Sequence, residues 1–65
     1  MTLGERMLEY RAKHKISQLK LAVILDESVG TIYRCESENF KLHKVNEIRL
    51  KNKMNELEEK DNVQM

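Results

Sequence analysis

Cysteine and histidine, the side chains best suited to nucleophilic chemistry and metal binding near neutral pH, are few and scattered in this 65-residue sequence, which has one Cys and two His. Cys35 is the single cysteine, so one chain forms neither a disulfide nor a multi-cysteine metal site, and its place on an apolar stripe favours a core role over a redox role. His14 and His43 lie far apart in the sequence and lack a set of further metal ligands. No Ser/His/Asp arrangement, glycine-rich phosphate loop or paired-carboxylate site is evident. We therefore expect no enzyme activity, no bound metal and no cofactor.

Charge is the more informative property, because 35% of the residues are charged although the net charge is only +1. Residues 1–25 hold five basic and two acidic residues, and residues 41–53 hold five basic and one acidic, whereas residues 26–40 and 54–65 are each net acidic. A basic block can bind a polyanion even when the whole chain is nearly neutral.

No apolar run approaches the roughly 18 residues that span a bilayer, and no basic segment followed by an apolar stretch opens the chain. We therefore expect a soluble cytoplasmic protein with no membrane partner.

The elements that position these charges are predicted to be helices. A composition with 40% hydrophobic residues, no Pro and two Gly favours an all-α domain over a sheet. Thr2 followed by Glu5 forms a capping-box pattern, which predicts a first helix over about residues 3–13. Ser17 is an N-cap residue for a second helix that begins near Gln18.

A tight turn is predicted between the second helix and a third. Asp26 tolerates the left-handed backbone that ends a helix abruptly, and Ser28 is placed to cap a helix over about residues 29–37. Gly30 costs a helix about 1 kcal/mol relative to Ala, so it marks either a close approach to another molecule or simple tolerance near a helix start.

From about residue 41 the chain carries two apolar stripes that are out of phase. The first stripe is Leu42, Val45 and Ile48, and the second is Leu50, Met54 and Leu57. Either the stretch holds two helices, or one long helix docks its first half on the domain and offers its second half to a partner at coiled-coil-like spacing. We expect one domain over residues 1–48, followed over residues 49–65 by a helix with a dimerisation stripe and a tail that frays from residue 61.

Residues 17–36, SQLKLAVILDESVGTIYRCE, resemble the helix-turn-helix of the phage Cro and repressor (Xre-type) family. Gln18 matches the Gln that opens the second helix, Ala22 the small residue where two helices cross, and Ile32 the Ile beneath them. The resemblance covers roughly residues 3–48 and implies an all-α, lambda-repressor-like domain of four to five helices.

The sequence departs from the family pattern around the turn. Asp26 stands where the family has Gly, and Glu27 replaces an apolar residue, which indicates a turn more exposed than usual. Cys35 replaces a large apolar residue late in the third helix.

The resemblance implies a sequence-specific regulator of transcription, a phage or bacterial repressor of the Cro type, that binds an operator in double-stranded DNA and is found with the nucleoid. In that family the third helix enters the major groove. The implied base-reading residues are Ser28, Val29, Gly30, Thr31, Tyr33 and Arg34. Arg34 is expected to contribute most, because its guanidinium can donate two hydrogen bonds to guanine.

Other residues are expected to position the protein on DNA. The candidates for phosphate contacts are Gln18, Lys20, Lys41, His43 and Lys44. The resemblance also implies an ion pair between Arg11 and Glu36 that fixes the third helix to the scaffold.

We expect a homodimer whose interface is formed by Leu50, Met54 and Leu57, because the core of so small a domain has no obvious room to bury a second apolar stripe. Two copies could then contact half-sites about 34 Å apart.

Two alternatives remain open. The first is a protein-binding antirepressor or immunity-type module, favoured by the acidic segment 26–40 and consistent with a regulatory protein partner. The second is an excisionase-like accessory factor that bends DNA strongly.

Overall fold

The computed structural model describes residues 1–37 and 41–63. These residues form four α-helices and no strand: α1 (Leu3–His14), α2 (Gln18–Leu25), α3 (Val29–Glu36) and α4 (Lys44–Val63). The predicted all-α class is therefore confirmed. Of the two arrangements considered for the chain after residue 41, the structure has one long helix, α4. The domain boundary expected after residue 48 falls inside this helix.

Local signals start the first three helices as the sequence predicts. Thr2 and Glu5 form a complete capping box at α1, in which the Glu5 N–H donates to Thr2 Oγ1 at 3.1 Å and the Thr2 N–H donates to Glu5 Oε1 at 2.8 Å. Ser17 and Ser28 cap α2 and α3 by accepting backbone N–H groups that lack a partner within the helix.

Two residues with left-handed backbones end helices. Lys15 ends α1 with φ 55°, and Asp26 ends α2 with φ 55°. Asp26 therefore fills the position of a turn glycine, as its short polar side chain permits. Only Glu27 and Ser28 then separate it from α3, so α2 and α3 form a tight helix-turn-helix.

The core draws side chains from all four helices. Its buried members are Leu3, Met7, Leu21, Ala22, Leu25, Ile32, Leu50 and Met54. Tyr10, Ile16, Cys35, Leu42 and Leu57 are partly buried against them. Burial of these side chains is the main favourable contribution to folding in a chain of this size.

The structure corrects the assignment of the two stripes on α4. Leu50 and Met54 are fully buried and Leu57 is half-buried against the same core, so this set is not a free dimerisation surface. Val45 and Ile48 of the other stripe are instead 76% and 50% exposed. The physical reason is that α4 docks on the core with the face that carries Leu50, Met54 and Leu57, and Val45 and Ile48 lie on the opposite face of the helix.

Ion pairs hold the C-terminal part of α4 against α1. The Arg6 guanidinium donates to both carboxylate oxygens of Glu58, at 3.1 and 2.6 Å. Asp61 accepts from Lys13 at 2.6 Å and lies 3.0 Å from His14 Nε2. The Lys13 ammonium lowers the pKa of the Asp61 carboxyl. Of the predicted frayed tail, residues 61–63 are helical, and residues 64–65 lie outside the described part.

Gly4 brings α1 and α3 into backbone contact. A Cβ built on Gly4 would lie 2.2 Å from the Cys35 carbonyl oxygen, far inside the contact distance of real Cβ atoms. Only a residue without a side chain fits there, so Gly4 sets how closely the end of α3 approaches α1.

Candidate nucleic-acid interface

The third helix presents one face to the core and the other to solvent. Ile32 is fully buried beneath the helix-turn-helix, whereas Tyr33 is 63% exposed and Val29 and Arg34 are also exposed. Together with Ser28 and Gly30, these residues give α3 an outward surface with both polar and apolar groups. The predicted base-reading residues thus share one exposed element, with Thr31 half-buried at its edge.

The start of α3 is organised by two hydroxyl groups. Ser28 Oγ accepts the Thr31 N–H at 3.2 Å and shares a hydrogen bond with Thr31 Oγ1 at 2.9 Å. Both hydroxyls therefore serve the helix cap. Beside them, a Cβ on Gly30 would meet only Ser28 Oγ, at 3.9 Å, so nothing within the chain requires glycine there.

The last residue of α3 is an anchor. Glu36 Oε2 accepts from Arg11 Nε at 2.9 Å, and Glu36 Oε1 accepts from Arg11 Nη2 at 3.0 Å. Gln18 Nε2 also donates to Oε1, at 2.9 Å. The Glu36 side chain is only 6% exposed, and the structure contains the Arg11–Glu36 pair that the sequence predicts. Such a bidentate arrangement fixes orientation as well as distance.

Gln18 has a structural role that the sequence analysis did not predict. Its amide donates to Glu36 and so ties the start of α2 to the end of α3. The phosphate contact predicted for Gln18 stays a prediction.

A second carboxylate anchors the other end of α3, and sequence reasoning missed it. Glu27 Oε1 accepts from Arg49 Nη2 at 3.0 Å, and Glu27 Oε2 accepts from Lys53 Nζ at 2.5 Å. The Glu27 side chain is only 8% exposed. The prediction of an unusually exposed turn at this residue is therefore wrong, because α4 covers the carboxylate. The available signal was that Arg49 and Lys53 are spaced four residues apart, on one face of a helix.

Lys53 also contacts the backbone of the turn. Its ammonium donates to the Leu25 carbonyl oxygen at 2.8 Å. This carbonyl belongs to the last residue of α2, where the helix dipole is negative and a cation is favourable. One lysine thus connects the end of α2 with Glu27.

The cations that join separate parts of the fold differ from those predicted to contact phosphate. Within the described ranges, Arg6, Arg11 and Lys13 bind carboxylates of other helices, and Arg49 and Lys53 bind the Glu27 carboxylate in the turn between α2 and α3. The predicted phosphate-binding residues Lys20, Lys41, His43 and Lys44 are exposed instead, and no side-chain hydrogen bond or salt bridge joins them to the described part of the chain. They are available to an anion.

Cys35 lies between the two anchors. Burial, with smaller contributions from Glu27 and Glu36, raises the pKa of its thiol to about 11. A thiol with a raised pKa is a poor nucleophile at neutral pH, which agrees with the interpretation of Cys35 as a small core residue.

Comparison with known proteins finds no family model, no curated protein and no solved structure that matches this chain. None of the helices formed by residues 1–37 and 41–63 could span a lipid bilayer.

Proposed function

We propose that this chain binds an operator in double-stranded DNA by inserting α3 into the major groove, and that it regulates transcription as a repressor of the Cro type. The observation that carries the proposal is the geometry of α3. This helix exposes Val29, Tyr33 and Arg34 and is anchored at both ends by nearly buried carboxylates. A helix that reads bases needs such an exposed face on a fixed scaffold.

The distribution of charge also supports a DNA partner over an apolar protein partner. The acidic segment 26–40 was the best argument for a protein-binding module, but Glu27 and Glu36 direct their carboxylates into ion pairs. Lys20, Lys41 and Lys44 remain exposed, and each is able to release a counterion from a phosphate.

The decisive experiment is selection of bound duplexes from a random pool, followed by titration of the selected duplex at two salt concentrations. We expect enrichment of a pseudo-palindrome, with an affinity that falls steeply as salt rises, by about 0.9 in log–log slope for each phosphate contact. Weak binding to all duplexes, with little salt dependence, would contradict the proposal and favour the protein-binding module.

Two variants separate base reading from phosphate contact. Arg34→Ala is expected to cost about 1–3 kcal/mol of discrimination against one wrong base pair. Lys20→Ala is expected to weaken all duplexes alike and to reduce the salt slope by about 1. Competition titrations with single-base operator variants measure the discrimination, and repeating them at two salt concentrations measures the salt slope. Uniform weakening by Arg34→Ala would remove its base-reading role.

A dimer and a mode of binding without strong DNA bending are further parts of the proposal. A pseudo-palindromic site implies two copies, and the mass of the protein alone and on the selected duplex tests this. Gel mobility on circularly permuted sites separates a repressor from a bending factor, because only the latter makes mobility depend strongly on the position of the site.

A further inference from the structure

The turn between α2 and α3 is held from outside by α4. Glu27 immediately precedes the N-cap residue Ser28, and both oxygens of its carboxylate are bound by α4 side chains. We propose that Glu27, Arg49 and Lys53 form a positioning clamp that sets the orientation of α3 for base reading. This inference rests on the proposed function.

The clamp acts on both sides of the turn at once. Lys53 Nζ binds the carbonyl oxygen of Leu25 at the end of α2 and the carboxylate of Glu27 before the start of α3. These two groups lie on opposite sides of Asp26, the residue with the left-handed backbone. A single ammonium group therefore fixes the distance across the position where the chain changes direction.

The cations of the clamp are themselves fixed by the core. Arg49 and Lys53 each directly precede a fully buried residue, Leu50 and Met54 respectively. A shift of α4 along its axis would pull those two side chains out of close packing, which is costly. The α4 helix is therefore part of the same packed domain that positions α3.

The clamp also explains why a carboxylate is tolerated at this turn. A nearly buried carboxylate is unfavourable unless charged partners and hydrogen bonds compensate its lost hydration. Glu27 has two cationic partners, so removal of its charge leaves two cations facing a neutral group. Side chains that read bases must be positioned to within about half an ångström, so a small rotation of α3 is enough to break their hydrogen bonds to the bases.

Glu27→Gln gives a test in which two explanations predict opposite signs. The substitution keeps the size of the side chain and removes one negative charge, so simple electrostatics predicts tighter binding to DNA. A positioning clamp predicts weaker binding to the selected duplex, with binding to random duplex unchanged or tighter.

We expect the folded Glu27→Gln protein to lose roughly tenfold in affinity for the selected duplex, the size of effect typical of coupled neighbouring groups. Glu47→Gln is the matched control, because it makes the same change of charge at an exposed pair with Lys51 on the same helix. We expect the control to change affinity by less than about twofold. Circular dichroism identifies temperatures at which each variant is folded, and binding is measured there.

A second variant keeps the test decisive if Glu27→Gln does not fold. Arg49→Gln removes only the more exposed cation of the clamp, and Lys53 still binds Glu27. It removes the same charge as Lys51→Gln, so the clamp predicts a larger loss of specific affinity for Arg49→Gln than for Lys51→Gln.

The outcomes separate the clamp from the function on which it rests. If the wild-type chain selects no duplex, the proposed function fails and the role of the clamp in binding fails with it. If the wild-type chain selects a duplex and folded Glu27→Gln or Arg49→Gln binds it as its control does, only the clamp is overturned.

Discussion

The two ends of α3 are anchored by the same chemistry but by different parts of the chain. At the C-terminal end, Glu36 is bound by Arg11 and Gln18, and the backbone behind it packs on Gly4. At the N-terminal end, the carboxylate of Glu27 is bound by Arg49 and Lys53, which are both side chains of α4.

The C-terminal anchor therefore belongs to the first three helices and has direct backbone packing beside it. The N-terminal anchor depends on a helix that comes last in the chain. The orientation of α3 therefore depends on residues outside the helix-turn-helix, in α1 at one end and in α4 at the other.

The largest effect is expected from removal of Arg11. Arg11→Met leaves the nearly buried Glu36 carboxylate with Gln18 as its remaining partner, so we expect a loss of about 3 kcal/mol in the free energy of unfolding. Denaturant titration measures it. Lys13→Met is the control, because the Lys13–Asp61 pair is exposed at the lysine and should contribute less than about 1 kcal/mol. A double-mutant cycle with Glu36→Gln that gives no coupling would contradict the anchor.

Alanine substitutions of two glycines test whether close backbone packing is found at only one end of α3. Gly4 and Gly30 each occupy the second position of a helix, yet a Cβ on Gly4 would lie 2.2 Å from Cys35 O and one on Gly30 would meet only Ser28 Oγ. We expect Gly4→Ala to destabilise the fold by about 2 kcal/mol through overpacking. Gly30→Ala should stabilise it by about 0.5 kcal/mol, since Ala is the better helix former.

DNA binding by the Gly30 variant sharpens this comparison. If Gly30 allows close approach to DNA, Gly30→Ala will weaken operator binding although it stabilises the protein. Equal unfolding free energies for the two alanine variants would show that α1 and α3 separate easily, and the close packing at Gly4 would then not distinguish the two ends.

The smallest effect is expected at Cys35, because the pKa of its thiol responds to the carboxylates of both anchors, Glu27 and Glu36. Burial first, and then Glu27 and Glu36, raise its pKa to about 11, so alkylation should be slow at neutral pH and accelerate only in strong alkali. Glu27→Gln should lower that pKa modestly, because burial remains. The pH dependence of the rate of iodoacetamide alkylation measures it. Fast alkylation of the folded protein at neutral pH would contradict this environment.

Much of the local structure could be predicted because its causes are local. Thr2, Ser17 and Ser28 satisfy N–H groups only a few residues away, and Asp26 adopts a backbone that its own side chain permits. The predicted starts of the first three helices therefore agree with the structure. The Arg11–Glu36 pair was predicted from a resemblance, since nothing local to either residue indicates the other.

The predictions that proved wrong concern residues whose burial depends on how the helices pack against one another. The two apolar stripes, which begin at Leu42 and at Leu50, have similar composition and spacing, so the periodicity of the sequence could not decide that Leu50 and Met54 are buried while Val45 and Ile48 are exposed. Glu27 was assigned to solvent because its charge favours water and its partners lie more than 20 residues away.

The all-helical class, the starts of the first three helices and the sharp turn at Asp26 follow from local sequence, because capping and backbone preference act over one turn of helix. The burial of Leu50 and Met54 and the enclosure of the Glu27 carboxylate are instead set by long-range packing. Those outcomes depend on where α4 lies against the other helices, and that position follows from the packing of the whole core.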